Sequence, residues 1–149
     1  MIKRIAILAA TTLLTVAAAH AAGDPAEGEK VFKKCKACHA NGAGAKNKVG
    51  PELNGVVGRP WGSIEGFKYS EGKDGTLLKI AEGGDKVWDV PTLTAYLAAP
   101  KEIIPKGKMA FAGLKKPEDV ANVIAYLASF DADGNPVDPV AVIQANGGE

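Results

Sequence analysis

The sequence predicts an all-α fold in which a few short helices are joined by long loops. Helix-start signals and helical apolar spacing recur along the chain, stretches rich in Gly and Pro separate them, and no alternating run is convincing enough for a sheet. The chain has 149 residues, 46% of them hydrophobic and 23% charged, which fits one domain with extensions and argues against wholesale disorder. Two Cys are too few for a small protein stabilised by disulfides. A formal net charge of +1 does not suggest nucleic-acid binding.

The N-terminal segment has the pattern of a secretory signal. Lys3 and Arg4 precede an apolar stretch over residues 5–19, and Ala19-His20-Ala21 has the small-x-small form of a signal peptidase site. The stretch is shorter than the ~20 apolar residues that cross a bilayer. We therefore expect residues 1–22 to be a cleaved signal peptide and the protein to be periplasmic, with an uncleaved anchor as the alternative.

Cleavage would leave very few soft ligands. Without residues 1–22 the chain has 16 basic and 17 acidic residues, a formal net charge of −1. One His remains, His39, and one Met, Met109, together with Cys35 and Cys38. Any soft-ligand chemistry of the mature protein must use these four side chains.

The first predicted helix begins at a strong capping signal. Asp24 is placed to be the N-cap, Pro25 suits the first helical position, and Glu27 completes a capping box. We expect this helix to end near Lys34. Residues 41–63 are then predicted to be a loop, because Gly or Pro occupies eight of these positions.

Three more helices are predicted further along the chain. Residues 77–82 form a short one, and a second follows an N-cap at Asp89 and is closed by Pro100. Residues 100–116 are again predicted to be loop. Pro117 opens a clear amphipathic helix, whose apolar residues at helical spacing are Val120, Val123, Ile124 and Leu127.

The long loops need an explanation, because loops beyond ~12–15 residues are uncommon in a compact domain unless they are functional. A large apolar cofactor would order them, and Cys35-Lys36-Ala37-Cys38-His39 supplies its signature. C-x-x-C-H is the attachment motif of c-type haem. Two thiols add across the porphyrin vinyl groups, and the adjacent imidazole of His39 then binds the iron. An extracytoplasmic location agrees with this interpretation.

Other interpretations of the C-x-x-C-H motif fit the sequence less well. A structural zinc site needs about four N or S ligands, whereas the mature chain offers three, or four only if Met109 serves. A thioredoxin-like disulfide would need a βαβ context, which the sequence lacks. A chance occurrence of the motif is the remaining alternative.

Met109 is the candidate for the second axial ligand. It lies in a loop between two predicted helices, whereas a Met that fills a core usually lies on an apolar helix face. A His/Met pair favours ferrous iron, because the thioether is a soft neutral donor, and so raises the reduction potential. Two protein ligands leave no open position for a substrate, which favours electron transfer over catalysis.

From about residue 23 to residue 130 the chain resembles the class I c-type cytochromes, most nearly the soluble bacterial cytochrome c2 group related to mitochondrial cytochrome c. The residues that carry the resemblance are Gly28, Phe32, Gly50-Pro51-Glu52-Leu53, Gly55-Val56-Val57-Gly58-Arg59, Gly66-Phe67-Lys68-Tyr69-Ser70, Trp88, Leu93, Tyr96, Leu97, Pro100, Ile104-Pro105, Lys108-Met109 and Val123-Ile124-Ala125-Tyr126-Leu127. The resemblance implies a cytochrome c fold wrapped around one covalent haem c. The resemblance covers a domain over residues 23–130. Residues 131–149 hold Gly, Pro and Asp without periodicity and are predicted to be a polar tail, with partial packing as an alternative.

The resemblance also implies site residues. The expected cofactor-binding set is Cys35, Cys38, His39, Met109, Pro51, Arg59, Tyr69, Trp88 and Tyr96, with His39 and Met109 on the iron. In this set the Pro51 carbonyl accepts a hydrogen bond from Nδ1 of His39 and fixes the ring. Tyr96 lies near the Met109 sulfur.

Three donors, on Arg59, Tyr69 and Trp88, are expected around a haem propionate, since a buried carboxylate is costly unless it is hydrogen-bonded. The chain departs from the family pattern nearby. An insertion between Tyr69 and Trp88 leaves the usual Asn beneath the haem without a clear counterpart, and Gly107 stands where many relatives have Thr or Ser.

The expected function is that of a periplasmic monohaem electron carrier, a monomer and not an enzyme. The resemblance implies a quinol–cytochrome c reductase as donor and an oxidase, a photosynthetic reaction centre or a periplasmic reductase as acceptor. A docking surface for acidic partners is expected at Lys33, Lys34, Lys36, Lys101, Lys106 and Lys108, with an ordinary solvated surface as the alternative. Two rival functions are a haem enzyme with a displaceable Met ligand and a membrane-tethered redox subunit.

Overall fold

The computed structural model describes residues 22–148, so the predicted signal peptide lies outside the described residues except for Ala22. The helices in chain order are α1 (Pro25–Phe32), α2 (Leu77–Ile80), α3 (Val90–Ala98), α4 (Pro100–Ile103), α5 (Pro117–Leu127) and α6 (Pro139–Ala145). Two isolated bridges, Pro60 with Val87 and Phe130 with Pro136, are the only β pairing in residues 22–148. The all-α prediction is confirmed. None of the described helices is both long and apolar enough to span a bilayer.

Helix α1 forms where its cap predicts and crosses α5. The Asp24 carboxylate accepts hydrogen bonds from the N–H groups of Ala26 and Glu27, at 2.8 and 3.2 Å. The helix ends at Phe32, two residues before the predicted end, and turns follow over residues 33–38. Phe32 is 1% exposed and packs on Tyr126 of α5 with 5.1 Å between ring centroids. The crossing therefore anchors the segment that leads into the cysteine motif.

The predicted loop over residues 100–116 is wrong in its first four residues. Asp89 caps α3 through the Thr92 N–H at 2.8 Å, and α3 ends at Ala98. Pro100 ends that helix as predicted but also opens α4, because its fixed φ and missing N–H suit the first helical position. Ile104, 1% exposed, closes α4 onto the core.

The C-terminal segment, predicted to be a polar tail with partial packing as an alternative, contains the packed helix α6. Asp138 caps α6 through the Val140 N–H at 3.0 Å, and Ile143 is only 2% exposed. The carbonyl of Asn146 accepts a hydrogen bond from the Val90 N–H at 2.9 Å, which ties the end of α6 to the start of α3. Seven residues with one fully buried side chain give too weak a periodicity to identify from sequence.

Replacing Ile143 tests this packing. Ile143→Ala should lower the free energy of unfolding by about 2–5 kcal/mol, as truncation of a buried aliphatic side chain does. Chemical denaturation of the holoprotein measures the change. Gln144→Ala, at an exposed position of the same helix, is the matched control and should unfold like the parent. Equal denaturation midpoints for the two variants would contradict the packing of α6.

Candidate functional site

Both cysteines lie on the turn that follows α1. The Cys35 N–H donates to the Phe32 carbonyl at 2.8 Å, and the His39 N–H donates to the Cys35 carbonyl at 2.9 Å. Cys35 is half-buried and Cys38 exposed, and neither forms a disulfide within residues 22–148. Burial raises the pKa of the Cys35 thiol. The turn thus presents two thiols and an imidazole from five consecutive residues.

The imidazole of His39 is fixed in one orientation. Its Nδ1 lies 2.7 Å from the Pro51 carbonyl oxygen, which can only accept, so Nδ1 carries the proton. Burial lowers the pKa of His39 and favours the neutral ring. A Cβ on Gly50 would lie 2.8 Å from both ring nitrogens, so only glycine leaves room for the ring. The Nε2 lone pair is therefore available to a metal.

Met109 lies against Tyr96, as the resemblance implies. The Tyr96 hydroxyl donates to Sδ of Met109 at 3.2 Å across 13 residues of sequence. Burial raises the pKa of Tyr96 to about 12. The phenol therefore stays protonated, and remains a donor to the sulfur, well above neutral pH.

The Tyr96 hydroxyl should be visible in an alkaline titration. Of the three tyrosines in the chain, Tyr96 is expected to ionise near pH 12, so Tyr96→Phe should remove the latest step of the phenolate absorbance. Because the folded protein keeps this proton longer than the unfolded chain, its contribution to stability is lost as the pH rises from about 10 to about 12. An unchanged titration curve in Tyr96→Phe would contradict the assignment.

Arg59 is held in a mostly buried position. Its guanidinium donates to the carbonyls of Asn54 and Glu52 at 2.9 and 3.1 Å and lies 3.5 Å from the Glu52 carboxylate. Only 12% of its side chain is exposed, and burial lowers the pKa of Arg59. Tyr69 is half-buried and accepts the Ile64 N–H at 3.3 Å, and burial raises its pKa. The charge of Arg59 acts against this rise in the pKa of Tyr69.

Trp88, the third expected donor, belongs to an aromatic series. Its ring stacks on Trp61 with centroids 4.4 Å apart and planes inclined by 20°, and it lies 4.8 Å from the Tyr96 ring. Sequence reasoning missed Trp61. A bulky aromatic two residues after Arg59, within a segment of Gly and Pro, was the signal that could have identified it. Within residues 22–148, the buried Nε1 of Trp61 and the buried amide of Asn41 have no hydrogen-bond partner.

These residues fit a covalently attached haem. Two unpaired thiols, a neutral imidazole with a free Nε2 and a thioether are the donors that such a group uses. Among residues 22–148 no group of three or more His, Cys, Asp or Glu is arranged to hold a metal ion.

All six predicted docking lysines are exposed. The Nζ atoms of Lys101 and Lys108 donate to backbone carbonyls, of Gly107 in the first case and of Lys68 and Tyr69 in the second. Lys34 pairs with Asp119 at 3.3 Å. Because an exposed pair contributes little to stability, this lysine stays available to a partner.

The chain is similar to known proteins in sequence and in structure. The cytochrome c family model matches residues 25–131. Cytochrome c-550 of Ancylobacter novellus is 56% identical over 110 residues, which cover 74% of this chain and 98% of that protein. Cytochrome c2 of Afifella marina is 50% identical over 116 residues, covering 78% and 89% of the two chains. The solved structure of cytochrome c2 from Rhodospirillum centenum superposes with a TM-score of 0.65 at 38% identity, over 73% of this chain and 99% of that one.

Proposed function

Because the chain belongs to the cytochrome c family and carries one covalent haem c, we propose that it is a soluble periplasmic electron carrier. It takes single electrons from a membrane quinol–cytochrome c reductase and delivers them to an oxidase, a photosynthetic reaction centre or a periplasmic reductase. The observation that carries the proposal is that the fold restrains both candidate iron ligands. His39 is held by the Pro51 carbonyl and Met109 by the Tyr96 hydroxyl.

The proposed roles follow from these contacts. Cys35 and Cys38 would hold the haem through thioethers, and His39 Nε2 and Met109 Sδ would bind its iron. The bound haem supplies the one-electron chemistry of its iron. The chain's own part is to keep the two ligands in place in both oxidation states, so that little rearrangement accompanies transfer. If His39 and Met109 both bound the iron, no site would be left for a substrate, and the proposal is therefore of a carrier and not of an enzyme.

The ligand pair should also set a high reduction potential. A thioether is a soft neutral donor that favours ferrous iron. The Tyr96 hydroxyl withdraws electron density from the Met109 sulfur through its hydrogen bond, which favours the same state. A carrier that accepts electrons from a quinol requires a reduction potential raised in this way.

Docking is proposed to use the lysines around the cysteine turn and Met109. Lys33, Lys36 and Lys106 are exposed and lie on the two segments that carry the candidate ligands. A local basic surface can steer an acidic partner although the net charge of residues 23–149 is −1. Association that depends on such charges is fast and weakens with added salt. Both properties suit a protein that must dissociate after each electron.

A redox titration of the purified holoprotein with optical readout tests the proposal. A covalently bound haem in the mass spectrum, a reversible one-electron step and the weak ferric band of a Met–iron bond are expected. An unchanged polypeptide mass would overturn the proposal. Loss of the Met–iron band with binding of peroxide or nitric oxide would favour the haem enzyme. Fractionation and N-terminal sequencing separate the soluble carrier from the tethered subunit.

A further inference from the structure

Glu52 forms the only ion pair within residues 22–148 in which both side chains are mostly buried. Its Oε1 lies 3.5 Å from Nη1 of Arg59, and the two side chains are 17% and 12% exposed. In each of the other pairs at least one side chain is more than half exposed. Charges shielded from water act more strongly on their surroundings and are screened less by salt. The charge of Glu52 therefore has more effect on nearby groups than that of an exposed carboxylate.

The Glu52 carboxylate is fixed in place as well as buried. Its Oε2 accepts a hydrogen bond from the Asn54 N–H at 2.6 Å, and the Glu52 N–H donates to Oδ1 of Asn47 at 2.9 Å. The Arg59 guanidinium donates to the carbonyls of Glu52 and Asn54, at 3.1 and 2.9 Å, so the turn over residues 52–54 encloses it. Neither charge can move away from the other without breaking these hydrogen bonds.

The pair lies beside the group that orients His39. Glu52 directly follows Pro51, whose carbonyl oxygen is 2.7 Å from Nδ1 of the His39 ring. Arg59 binds the carbonyl of Glu52, which is the next carbonyl along the chain. One short stretch of backbone therefore connects the candidate iron ligand with both charges.

The two charges oppose each other at a third group, the Tyr69 hydroxyl. Burial raises the pKa of Tyr69, the charge of Arg59 lowers it and the charge of Glu52 raises it. Opposed effects are also expected at an iron bound by His39, because oxidation adds a positive charge there. A nearby carboxylate favours the ferric state and a nearby guanidinium favours the ferrous state.

We propose that the Glu52 carboxylate lowers the reduction potential of the haem iron by offsetting the charge of Arg59. The inference rests on the proposed function, because it requires a haem whose iron is bound by His39 and Met109. It gives a role to a residue for which the resemblance implied none. Met109 and its hydrogen-bond donor Tyr96 raise the potential, and Glu52 limits that rise.

The test is a redox titration of the parent holoprotein beside Glu52→Gln. Glutamine keeps the length of the side chain and an oxygen for the Asn54 N–H, but it removes the charge. At an applied potential equal to the parent's midpoint, the ratio of reduced to oxidised iron should rise by about three- to tenfold, as expected for loss of one partly buried unit charge. Glu82→Gln is the matched control. It makes the same exchange in the exposed pair with Lys79 and should leave the ratio unchanged.

Glu52→Asp separates the charge of the side chain from its shape. Because aspartate keeps the carboxylate, this variant should titrate close to the parent, whereas a merely structural role predicts that both Glu52 variants depart from it. A Glu52→Gln ratio equal to the parent's, or an equal shift in the two variants, would overturn the inference.

If Glu52→Gln fails to fold, an infrared difference spectrum between the ferrous and ferric states decides the question. The parent and Glu52→Asp are compared, each with ¹³C-labelled glutamate carboxyls. We expect a labelled carboxylate band that shifts on oxidation of the parent and is missing from Glu52→Asp. Absence of such a band would also overturn the inference. Absence of covalent haem from the parent would instead count against the proposed function, so the two failures are distinguishable.

Discussion

Met109→Ala is expected to lower the midpoint potential of the holoprotein by an amount on the order of tenths of a volt, since axial ligands set haem potentials over about 0.8 V. The physical reason is loss of a soft neutral donor that stabilises ferrous iron. The weak ferric band of the Met–iron bond should disappear with it. A redox titration followed by absorption measures both effects on one sample.

The matched control is Lys106→Ala, an exposed position in the same loop, which should keep the band and the midpoint. The open axial position of Met109→Ala should also bind added imidazole, which the parent protein excludes. An absorption spectrum and midpoint identical to those of the parent would show that Met109 is not the second ligand. The haem-enzyme alternative would then have to be reconsidered.

The helices that the sequence predicts well are those with strong local signals. Asp24 and Asp89 cap α1 and α3 through side-chain hydrogen bonds to N–H groups within three residues, so the whole signal lies within one turn. α6 has a cap of the same kind, Asp138 before Pro139, but it is only seven residues long and its burial depends on one side chain, Ile143. Local sequence predicts where a helix begins, but it does not show which surface of the protein a short helix packs against.

The candidate site likewise contains residues that local sequence predicts and others that depend on long-range pairing. The order of residues in the cysteine motif places His39 beside the two thiols, and the structure joins its ring to Pro51, 12 residues away. An aromatic residue among Gly and Pro marks Trp61 in the sequence, but its burial cannot be predicted locally, because it depends on pairing with residue 86 across the insertion. Such long-range pairing is decided by the insertion's own fold, for which the resemblance offered no guide. That the buried indole N–H has no partner among the described residues is evident only from the three-dimensional contacts of the chain.

The contact between α1 and α5 requires a residue without a side chain at Gly28. A Cβ there would overlap the Asn122 carbonyl and would lie 2.8 Å from the Tyr126 Cβ, both on α5. The obstruction includes backbone, which cannot move aside as a flexible side chain can. The first helix would have to shift as a whole, and the cysteine turn that follows it in the chain would shift too.

Gly28→Val is therefore expected to lower the free energy of unfolding by more than about 4 kcal/mol, a large fraction of the ~5–15 kcal/mol that stabilises a typical domain. Gly28→Ala is the more telling variant. Alanine is favoured over glycine in a helix interior by about 1 kcal/mol, so propensity predicts stabilisation and the helix crossing predicts the reverse. Denaturation of the two holoproteins measures the effect, with Glu29→Ala at an exposed position of α1 as the control. A Gly28→Ala protein more stable than its parent would show that the helices do not cross at this distance.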